Sequence, residues 1–315
     1  MFIVLFLPWD NSTLNAKNDY SSLILNTSLI EHLPIVINSN NDFITLGFDG
    51  NGSLSNPYII ENLQIDSEDI SGSAIQIGGT TDYFIIRNCM LFSAYIGIFI
   101  QNTNAIGTAQ IINNTINSSS GDGGGIGCGV GYTIIENNTI SGFMQGIHLN
   151  YASHCTIKGN KVLLSYYQGI NIRFSSFTEV TSNTIKNSNQ HGLAVVGSLS
   201  SYNVIHHNIF INNSVELTYE IDGERTGEIT SQGYDEGENN LWFDEENEHG
   251  NWWDDYNKKG VYSIDGPSDS IDEYPLKYVE TNKTNFLISV SLITFIFIIY
   301  LNKRKRKREW FLISI

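Results

Sequence analysis

The stretch Ile135–Leu149, with the sequence IENNTISGFMQGIHL, contains the two short motifs that decide the fold. The first is an apolar segment interrupted by asparagine, Ile135–Ile140, and the second is a glycine followed by alternating apolar residues, Gly146–Leu149. Both motifs recur along the chain in the same order. Short β-branched segments bounded by glycine, asparagine and serine are typical of β-strands.

The asparagine motif occurs in six copies, with steps of 26, 24, 22, 23 and 25 residues between the aligned asparagines. These asparagines are Asn88, Asn114, Asn138, Asn160, Asn183 and Asn208. An earlier copy, Ile60–Ile65, has Leu63 in their place. The second motif runs in phase as Ala74–Ile77, Gly97–Ile100, Gly125–Cys128, Gly146–Leu149, Gly169–Ile172 and Gly192–Val195.

A repeat of this length is too short for a helix pair or a propeller blade, and it fits one coil of a parallel solenoid with three short strands. The sequence therefore predicts an all-β fold, a parallel β-solenoid of about seven coils, each rising about 4.8 Å. We interpret the asparagine column as a ladder of side-chain hydrogen bonds through the stack. Asparagines that are merely solvated in turns are the alternative.

Charge is distributed unevenly along the 315 residues, which carry 33 acidic and 17 basic side chains and a net charge of −16. The segment Lys303–Arg308 holds six of the basic residues, and the chain before it has 11 basic and 32 acidic residues, a net of −21. So acidic a body argues against a nucleic-acid partner, because phosphate contacts need a basic surface.

The segment Phe286–Leu301 (FLISVSLITFIFIIYL) has 16 residues without a charge and directly precedes the basic run. A membrane-spanning helix needs about 20 apolar residues, so the segment is short, but the basic run after it is typical of a cytoplasmic flank. We predict a single-pass transmembrane helix in contact with membrane lipid, a cytoplasmic C-terminus, and an extracellular or periplasmic body. A buried core helix is the alternative.

The predicted organisation has five parts. Residues 1–34 form a signal remnant and N-terminal cap, in which Leu23–Leu33 is the expected cap helix. Residues 35–215 form the coils, and 216–280 form an acidic loop and C-terminal cap. A linker and transmembrane helix follow at 281–301, and a basic cytoplasmic tail at 302–315. The three cysteines lack the spacing of a zinc site and are expected to be buried thiols.

Both ends of the predicted coil region resemble a known family. The segments Asn41–Phe43, Gly50–Ser53 and Asn56–Leu63 are similar to the start of NosD-like domains, which have a pectin-lyase-like fold. The segment Gly250–Tyr256 resembles their closing G-N-[YW]-W-x-D-Y block, and Ile271–Leu276 resembles their last segment. The resemblance covers residues 35–277 and implies a right-handed β-helix on an exported or surface protein of archaea or bacteria.

Relatives in this family include a periplasmic accessory to copper-site maturation and many surface proteins. They often carry an acidic, glycine-rich, calcium-like loop after the W-x-D-Y block. Here Asn257–Ser263 replaces that loop, so calcium is not expected there.

Candidate ligand-binding residues lie on the outward column of the second motif, which reads Gln76, Phe99, Gly127, His148, Asn171 and Ala194. The predicted binding residues are Phe99, His148, Asn171, Trp242, Trp252 and Trp253. Tryptophans can stack on sugars, but buried indoles that plug the last coil are the favoured alternative for this group.

No catalytic residues are predicted. Glycoside hydrolysis needs two carboxylates at a set separation, and the outward column has none. Glu136 with Arg87 or Lys158 is an imaginable acid–base set, but solvated surface charge is the better interpretation. The acids of any enzyme would have to come from Asp222–Asp255.

No cofactor is expected. If residues 204–208 are a strand, His206 and His207 point to opposite faces and cannot chelate one ion together. Copper at histidines and calcium in the acidic segment Glu216–Glu248 are conceivable but unsupported.

The leading interpretation is a membrane-anchored extracellular protein that binds a glycan or another surface protein without catalysis. A polysaccharide lyase or glycoside hydrolase is the first alternative, and a NosD-type periplasmic copper accessory protein is the second.

Overall fold

One backbone path is repeated along the chain: three short strands, each followed by a turn, make one coil. The structure is a computed structural model that describes residues 29–276, except 70–71, 102, 104, 215–217, 222–223 and 258, and excludes the side chains of 218–221 and 224–228. The predicted signal remnant, the transmembrane segment Phe286–Leu301 and the basic tail lie outside the described residues.

Equivalent strands of successive coils pair in parallel and form three long sheets. The first sheet consists of Ile30–His32, Leu63–Ser67, Met90–Ser93, Thr115–Asn117, Thr139–Ser141, Lys161–Leu163, Thr184–Lys186, Ile209–Ile211 and Trp252–Trp253. The second consists of Ile35–Ile37, Ser73–Ile77, Ile96–Ile100, Gly124–Cys128, Gln145–Asn150, Ile170–Arg173, Leu193–Val196 and Gly233–Asp235.

The third sheet consists of Tyr58–Glu61, Phe84–Arg87, Ala109–Ile112, Ile134–Glu136, Thr156–Lys158, Glu179–Thr181 and Val204–His206. Its seven stacked strands are separated by six turns of the solenoid. The predicted parallel right-handed β-helix is therefore confirmed, with about six turns.

Columns of like residues fill the interior because equivalent positions of successive coils are paired in register. In the first sheet the inward column is aliphatic until its C-terminal end, where aromatic rings replace the aliphatic side chains. It reads Ile65, Leu91, Ile116, Ile140, Val162, Ile185, Phe210 and Trp253. Each coil thus buries its apolar residues only against the coils next to it.

Asparagines at the corner between the third and first sheets form a continuous hydrogen-bonded ladder. Asn160 Nδ2 donates to Asn183 Oδ1 at 3.0 Å, and Asn160 Oδ1 accepts from Asn138 Nδ2 at 3.0 Å. The same amide nitrogen of Asn160 also donates to the Ile135 carbonyl at 2.8 Å. The members of the ladder are Asn114, Asn138, Asn160, Asn183, Asn208 and Asn251.

The assignment of Asn88 to this ladder is wrong. Met90 pairs with Thr115, so Cys89 occupies the ladder position, and its backbone N–H donates to Asn114 Oδ1 at 3.0 Å. Asn88 is exposed at the preceding turn position with φ 54°. This position has a positive φ in every coil before that of Asn251, and its other members are Asn62, Asn113, Asn137, Gly159, Ser182 and His207. Because Asn113 and Asn114 are adjacent asparagines, either can be aligned with Asn88 in the sequence. The strand pairing aligns Asn88 with Asn113.

The N-terminal end of the solenoid differs from the prediction. Ile30–His32 is a strand of the first sheet, so the coils begin before residue 35, and this part of Leu23–Leu33 is not helical. One helix, Asn40–Thr45, lies between the second and third sheets in the first coil. Its Phe43 is buried and stacks on Tyr58 with ring centroids 4.6 Å apart.

At the other end, the boundary predicted at residue 215 is also wrong. Gly233–Asp235 joins the second sheet and Trp252–Trp253 joins the first, so the stack continues beyond the regular repeat. Two antiparallel pairs lie in this region, Thr218–Ile221 with Glu224–Glu228, and Tyr262–Ser263 with Ile271–Asp272. Cys89, Cys128 and Cys155 are buried and free, as expected.

None of the helices in the described part of the chain is long and apolar enough to cross a membrane.

Replacing Asn160 by alanine tests the ladder. The change removes the acceptor of the Asn138 backbone N–H and the side-chain donor to the Ile135 carbonyl. It also removes one acceptor of Asn138 Nδ2, which keeps its bonds to the Ile111 and Glu136 carbonyls. Because stranded buried polar groups each cost about 1–3 kcal/mol, we expect Asn160→Ala to lower the free energy of unfolding by roughly 2–5 kcal/mol in urea denaturation. The control Asn88→Gly should change it by less than about 0.5 kcal/mol, because glycine favours the same backbone conformation. Equal effects of the two substitutions would contradict the ladder assignment.

Candidate functional site

The outer face of the second sheet carries the column in which ligand-binding residues were expected. Strand pairing confirms its order of Gln76, Phe99, Gly127, His148, Asn171 and Ala194, and adds Val36 before and Tyr234 after these residues. Phe99, His148 and Asn171 therefore follow one another along the solenoid axis. We refer to Phe99, Gly127, His148 and Asn171 as the second-sheet strip.

Glycine at position 127 makes room for the ring of Phe99. A Cβ atom on Gly127 would lie 3.0 Å from Phe99 Cδ2, so the ring reaches over the neighbouring coil. The next residue of the column, His148, pairs with Gly127 on one side and with Asn171 on the other. The strip thus places an aromatic ring, an imidazole and an amide in one line.

Two polar atoms of the strip are buried without a hydrogen-bond partner among the described residues: His148 Nε2 and Asn171 Oδ1. The Asn171 side chain is only 6% exposed. Buried polar atoms in folded proteins nearly always have a partner, and leaving one unpaired costs about 1–3 kcal/mol. Two such atoms on adjacent coils of an outer face indicate a place where a water or a ligand supplies the missing bonds.

A row of glutamines orients the Asn171 amide. Gln145 Nε2 donates to Gln168 Oε1 at 3.0 Å, and Gln168 Nε2 donates to Gln190 Oε1 at 2.8 Å. Gln168 Oε1 also accepts from Asn171 Nδ2 at 3.5 Å. Because the amide nitrogen of Asn171 is directed to this row, its oxygen remains available as an acceptor.

His148 is uncharged at neutral pH. Burial lowers the pKa of its imidazole to about 4, and the positive charge of Arg173 acts in the same direction. A neutral imidazole carries one N–H donor and one acceptor nitrogen, so Nε2 can serve in either role according to the tautomer.

The prediction that Trp242 and Trp253 bind a ligand is wrong. Their side chains are 0% and 2% exposed, and their indole N–H groups donate to Asp235 Oδ2 at 3.0 Å and to Asp272 Oδ2 at 2.9 Å. The Trp253 ring lies between Phe210 and Tyr262, with centroid distances of 4.1 Å to each. The alternative, indoles that plug the last coil, is confirmed.

Trp252, the third predicted tryptophan, is partly buried and belongs to the first sheet, where it pairs with Ile209. It is therefore not part of the second-sheet strip.

An aromatic stack on the surface was not anticipated. Tyr132, His154, Phe177 and Tyr202 stack in sequence, with centroid distances of 4.5, 4.9 and 5.2 Å. Each lies two residues before a third-sheet strand and has a positive φ. That fixed offset was visible in the sequence. Since the inner rings cover one another's faces, they present mainly edges to solvent, and the stack is poorly suited to sugars, which pack on ring faces.

The imagined acid–base set around Glu136 is divided over several coils. Arg87 pairs with Glu61, with Nε and Oε2 2.6 Å apart, and the coil of Ile112 separates Arg87 from Glu136. Lys158 lies on the coil after Glu136.

Described carboxylates of the segment 222–255 take part in the cap. Asp235 accepts from Trp242, and Gln232 Nε2 donates to both Asp254 Oδ1 and Asp255 Oδ1, at 2.7 and 2.8 Å. These contacts organise the last coil, and the site of interest remains the second-sheet strip.

The expectation that His206 and His207 point to opposite faces is wrong. The strand ends at His206, and His207 has φ 56°, so the backbone does not continue its alternation. Their Nδ1 atoms approach to 2.6 Å.

Comparison with known proteins supports the fold. Residues 96–241 match the family model described as "Right handed beta helix region". Comparisons with curated proteins and with solved structures found no significant match. The family match and the three parallel sheets together define the class of the described chain as a right-handed parallel β-helix.

The protonation of His148 can be measured directly by NMR titration of its ring resonances. We expect a pKa near 4, because burial and then Arg173 both disfavour the imidazolium form. Arg173→Gln should raise this pKa by removing the positive charge, whereas Arg173→Lys should leave it nearly unchanged. A value close to the 6.5 of an unperturbed imidazole would contradict the buried environment of the ring.

Proposed function

We propose that this protein is a membrane-anchored extracellular or periplasmic β-helix that binds a glycan on the second-sheet strip without cleaving it. The observation that carries the proposal is the pair of buried, unpartnered atoms, His148 Nε2 and Asn171 Oδ1, in line with the ring of Phe99. Binding of another surface protein at the same strip is the alternative outcome.

Sugars match the chemistry of the strip. A sugar hydroxyl both donates and accepts hydrogen bonds, so adjacent hydroxyls can serve the Asn171 oxygen and either tautomer of His148. The C–H face of a pyranose can pack on an aromatic ring such as Phe99. The stacked coils repeat at about 4.8 Å, which also suits an extended polymer lying along the axis.

The outer column of the described second sheet has no carboxylate. Glycoside hydrolysis needs two carboxyl groups flanking the scissile bond. Binding without turnover is therefore the better proposal, and a lyase or hydrolase activity is retained as an outcome of the test. The NosD-like resemblance supports an exported location.

The anchor is supported by the order of segments beyond the described residues. Phe286–Leu301 is uncharged, and Lys303–Arg308 follows it. Positively charged flanks remain on the cytoplasmic side of a membrane helix. This topology places the acidic body outside.

Binding can be tested on a glycan array with the full-length chain in detergent, followed by titration of the best ligand. Phe99→Gln and Asn171→Ala introduce the residues of neighbouring coils, Gln76 and Ala194, and should preserve the fold. We expect each to weaken binding by about 3- to 10-fold, the value of one hydrogen bond or contact. His154→Ala, in the aromatic stack, is the control and should have no effect.

The same samples should be assayed for released oligosaccharides and unsaturated sugar ends. Product formation would overturn the non-catalytic proposal. Glycan binding that is reduced by His154→Ala but not by the strip variants would move the site to the aromatic stack.

Membrane attachment has a separate test. We expect the full-length chain to require detergent for extraction from membranes, because Phe286–Leu301 spans the bilayer in this proposal. Deleting residues 286–301 should release the protein in soluble form. Full-length protein that is freely soluble without detergent would contradict the anchor.

A further inference from the structure

Three side chains that can bind a metal, two imidazoles and one carboxylate, converge where the last third-sheet strand meets the C-terminal cap. His206, His207 and Asp244 each offer one ligand atom, and these atoms all lie within 4.8 Å of one another. All three side chains are partly buried. We call this group the His206–Asp244 cluster.

The fold explains how residues distant in sequence meet there. His206 ends the strand Val204–His206, and His207 occupies the left-handed turn position that asparagine fills at 88, 113 and 137. This turn directs the His207 side chain outward beside His206. Val204 forms a parallel bridge with Leu241, and the His207 backbone N–H donates to the Gly250 carbonyl, so the loop between Leu241 and Gly250 leaves and rejoins the stack here and carries Asp244 to the two histidines.

The two imidazoles face each other through nitrogen atoms. Their Nδ1 atoms are 2.6 Å apart, and the ring planes are inclined by 74°. A single N–H···N hydrogen bond of this length is short compared with the usual range of about 2.7–3.2 Å for N–H···O bonds. Two nitrogens on one zinc ion, each at about 2.0–2.1 Å, lie somewhat further apart, so a small ring rotation opens the space for an ion.

The carboxylate of Asp244 is held in place by its own loop. Asn247 Nδ2 donates to Oδ2 at 2.8 Å, and the backbone N–H groups of Glu246 and Asn247 donate to Oδ1 at 3.1 and 3.2 Å. Partners that orient a ligand reduce the entropy lost on metal binding.

His249 adds a third imidazole at the edge of the cluster. It forms an antiparallel bridge with Asp244, and its ring stacks on His207 with centroids 5.2 Å apart. Its ring therefore covers one side of the cluster.

We propose that His206, His207 and Asp244 bind one divalent late first-row transition-metal ion, with zinc and copper as the matching ions. Two imidazoles and a carboxylate are donors that such ions prefer, whereas calcium and magnesium favour oxygen-only sites. The bound ion would fasten the cap segment of Asp244 to the last complete coil. The cluster lies at the corner of the third sheet, so the proposal is independent of glycan binding at the second-sheet strip.

The test is calorimetric titration of the full-length chain, after removal of metals by a chelator, with zinc chloride and with copper(II) chloride. We expect one saturable site per chain for at least one of the two ions, and no saturable site for magnesium or calcium chloride. At 100-fold excess over the dissociation constant, the ion should raise the unfolding midpoint by roughly 5–10 °C.

Variants copied from neighbouring coils keep the fold intact. His207→Asn introduces the residue of the same turn position at Asn137, and His206→Thr introduces the residue of the preceding coil, Thr181. Each of these, and Asp244→Asn, should weaken metal binding by about 10- to 100-fold or more, because each removes a ligand. Glu245→Gln removes the adjacent exposed charge and should leave the affinity unchanged.

Electron paramagnetic resonance of the copper(II) form reports the ligands without relying on affinity. We expect hyperfine coupling to two imidazole nitrogens in the native chain and to one fewer in folded His207→Asn. The absence of a saturable zinc or copper site, or equal affinity in the native, His207→Asn and Asp244→Asn proteins, would overturn the proposal.

Discussion

The structure depends on hydrogen bonds to the buried backbone N–H and carbonyl groups at one corner of the coils. The turn between the third and first sheets is two residues long from Asn88 to Asn208, and it brings peptide groups into the interior, where water cannot pair with them. The asparagine ladder solves this problem, since each amide accepts from the coil before it and donates both to the coil after it and to a buried carbonyl. At Asn183, the amide nitrogen donates to Asn208 Oδ1 at 2.9 Å and to the Ile157 carbonyl at 2.8 Å. With this corner fixed, equivalent residues remain in register through the stack.

Much of the fold could be predicted from the sequence, because coils that pair in register have similar residues at regular intervals along the chain. The outward order from Gln76 to Ala194 was correct, since side chains alternate strictly along a strand. Among the predicted ladder residues, only the assignment of Asn88 was wrong. The repeat has two adjacent polar residues at this turn, so the alignment could shift by one residue, and Cys89 occupies the ladder position. That cysteine partly imitates an amide, because its Sγ lies 3.3 Å from the Arg87 carbonyl.

The candidate sites were less predictable because they depend on turns and on the irregular C-terminal cap. Asn251, the last ladder residue, comes 43 residues after Asn208, so no periodic rule could locate it. The burial of Trp242 and Trp253 depends on which side of the last coil each side chain faces. The outward direction of His207 follows from a left-handed backbone conformation, and histidine gives a weaker signal for that conformation than asparagine or glycine.

These observations separate two kinds of position in the solenoid. Inward and ladder positions are constrained by every neighbouring coil, so a change there disturbs the register of the whole stack. Outward positions contact only their immediate neighbours, and they vary from Phe99 to Gly127 to His148 without altering the backbone path. At the C-terminal corner the chain leaves the regular repeat, so residues there are not bound by the register of the coils. A separate loop can therefore bring Asp244 next to His207. Binding chemistry can therefore accumulate on the outward columns and at the cap while the asparagine ladder maintains the fold.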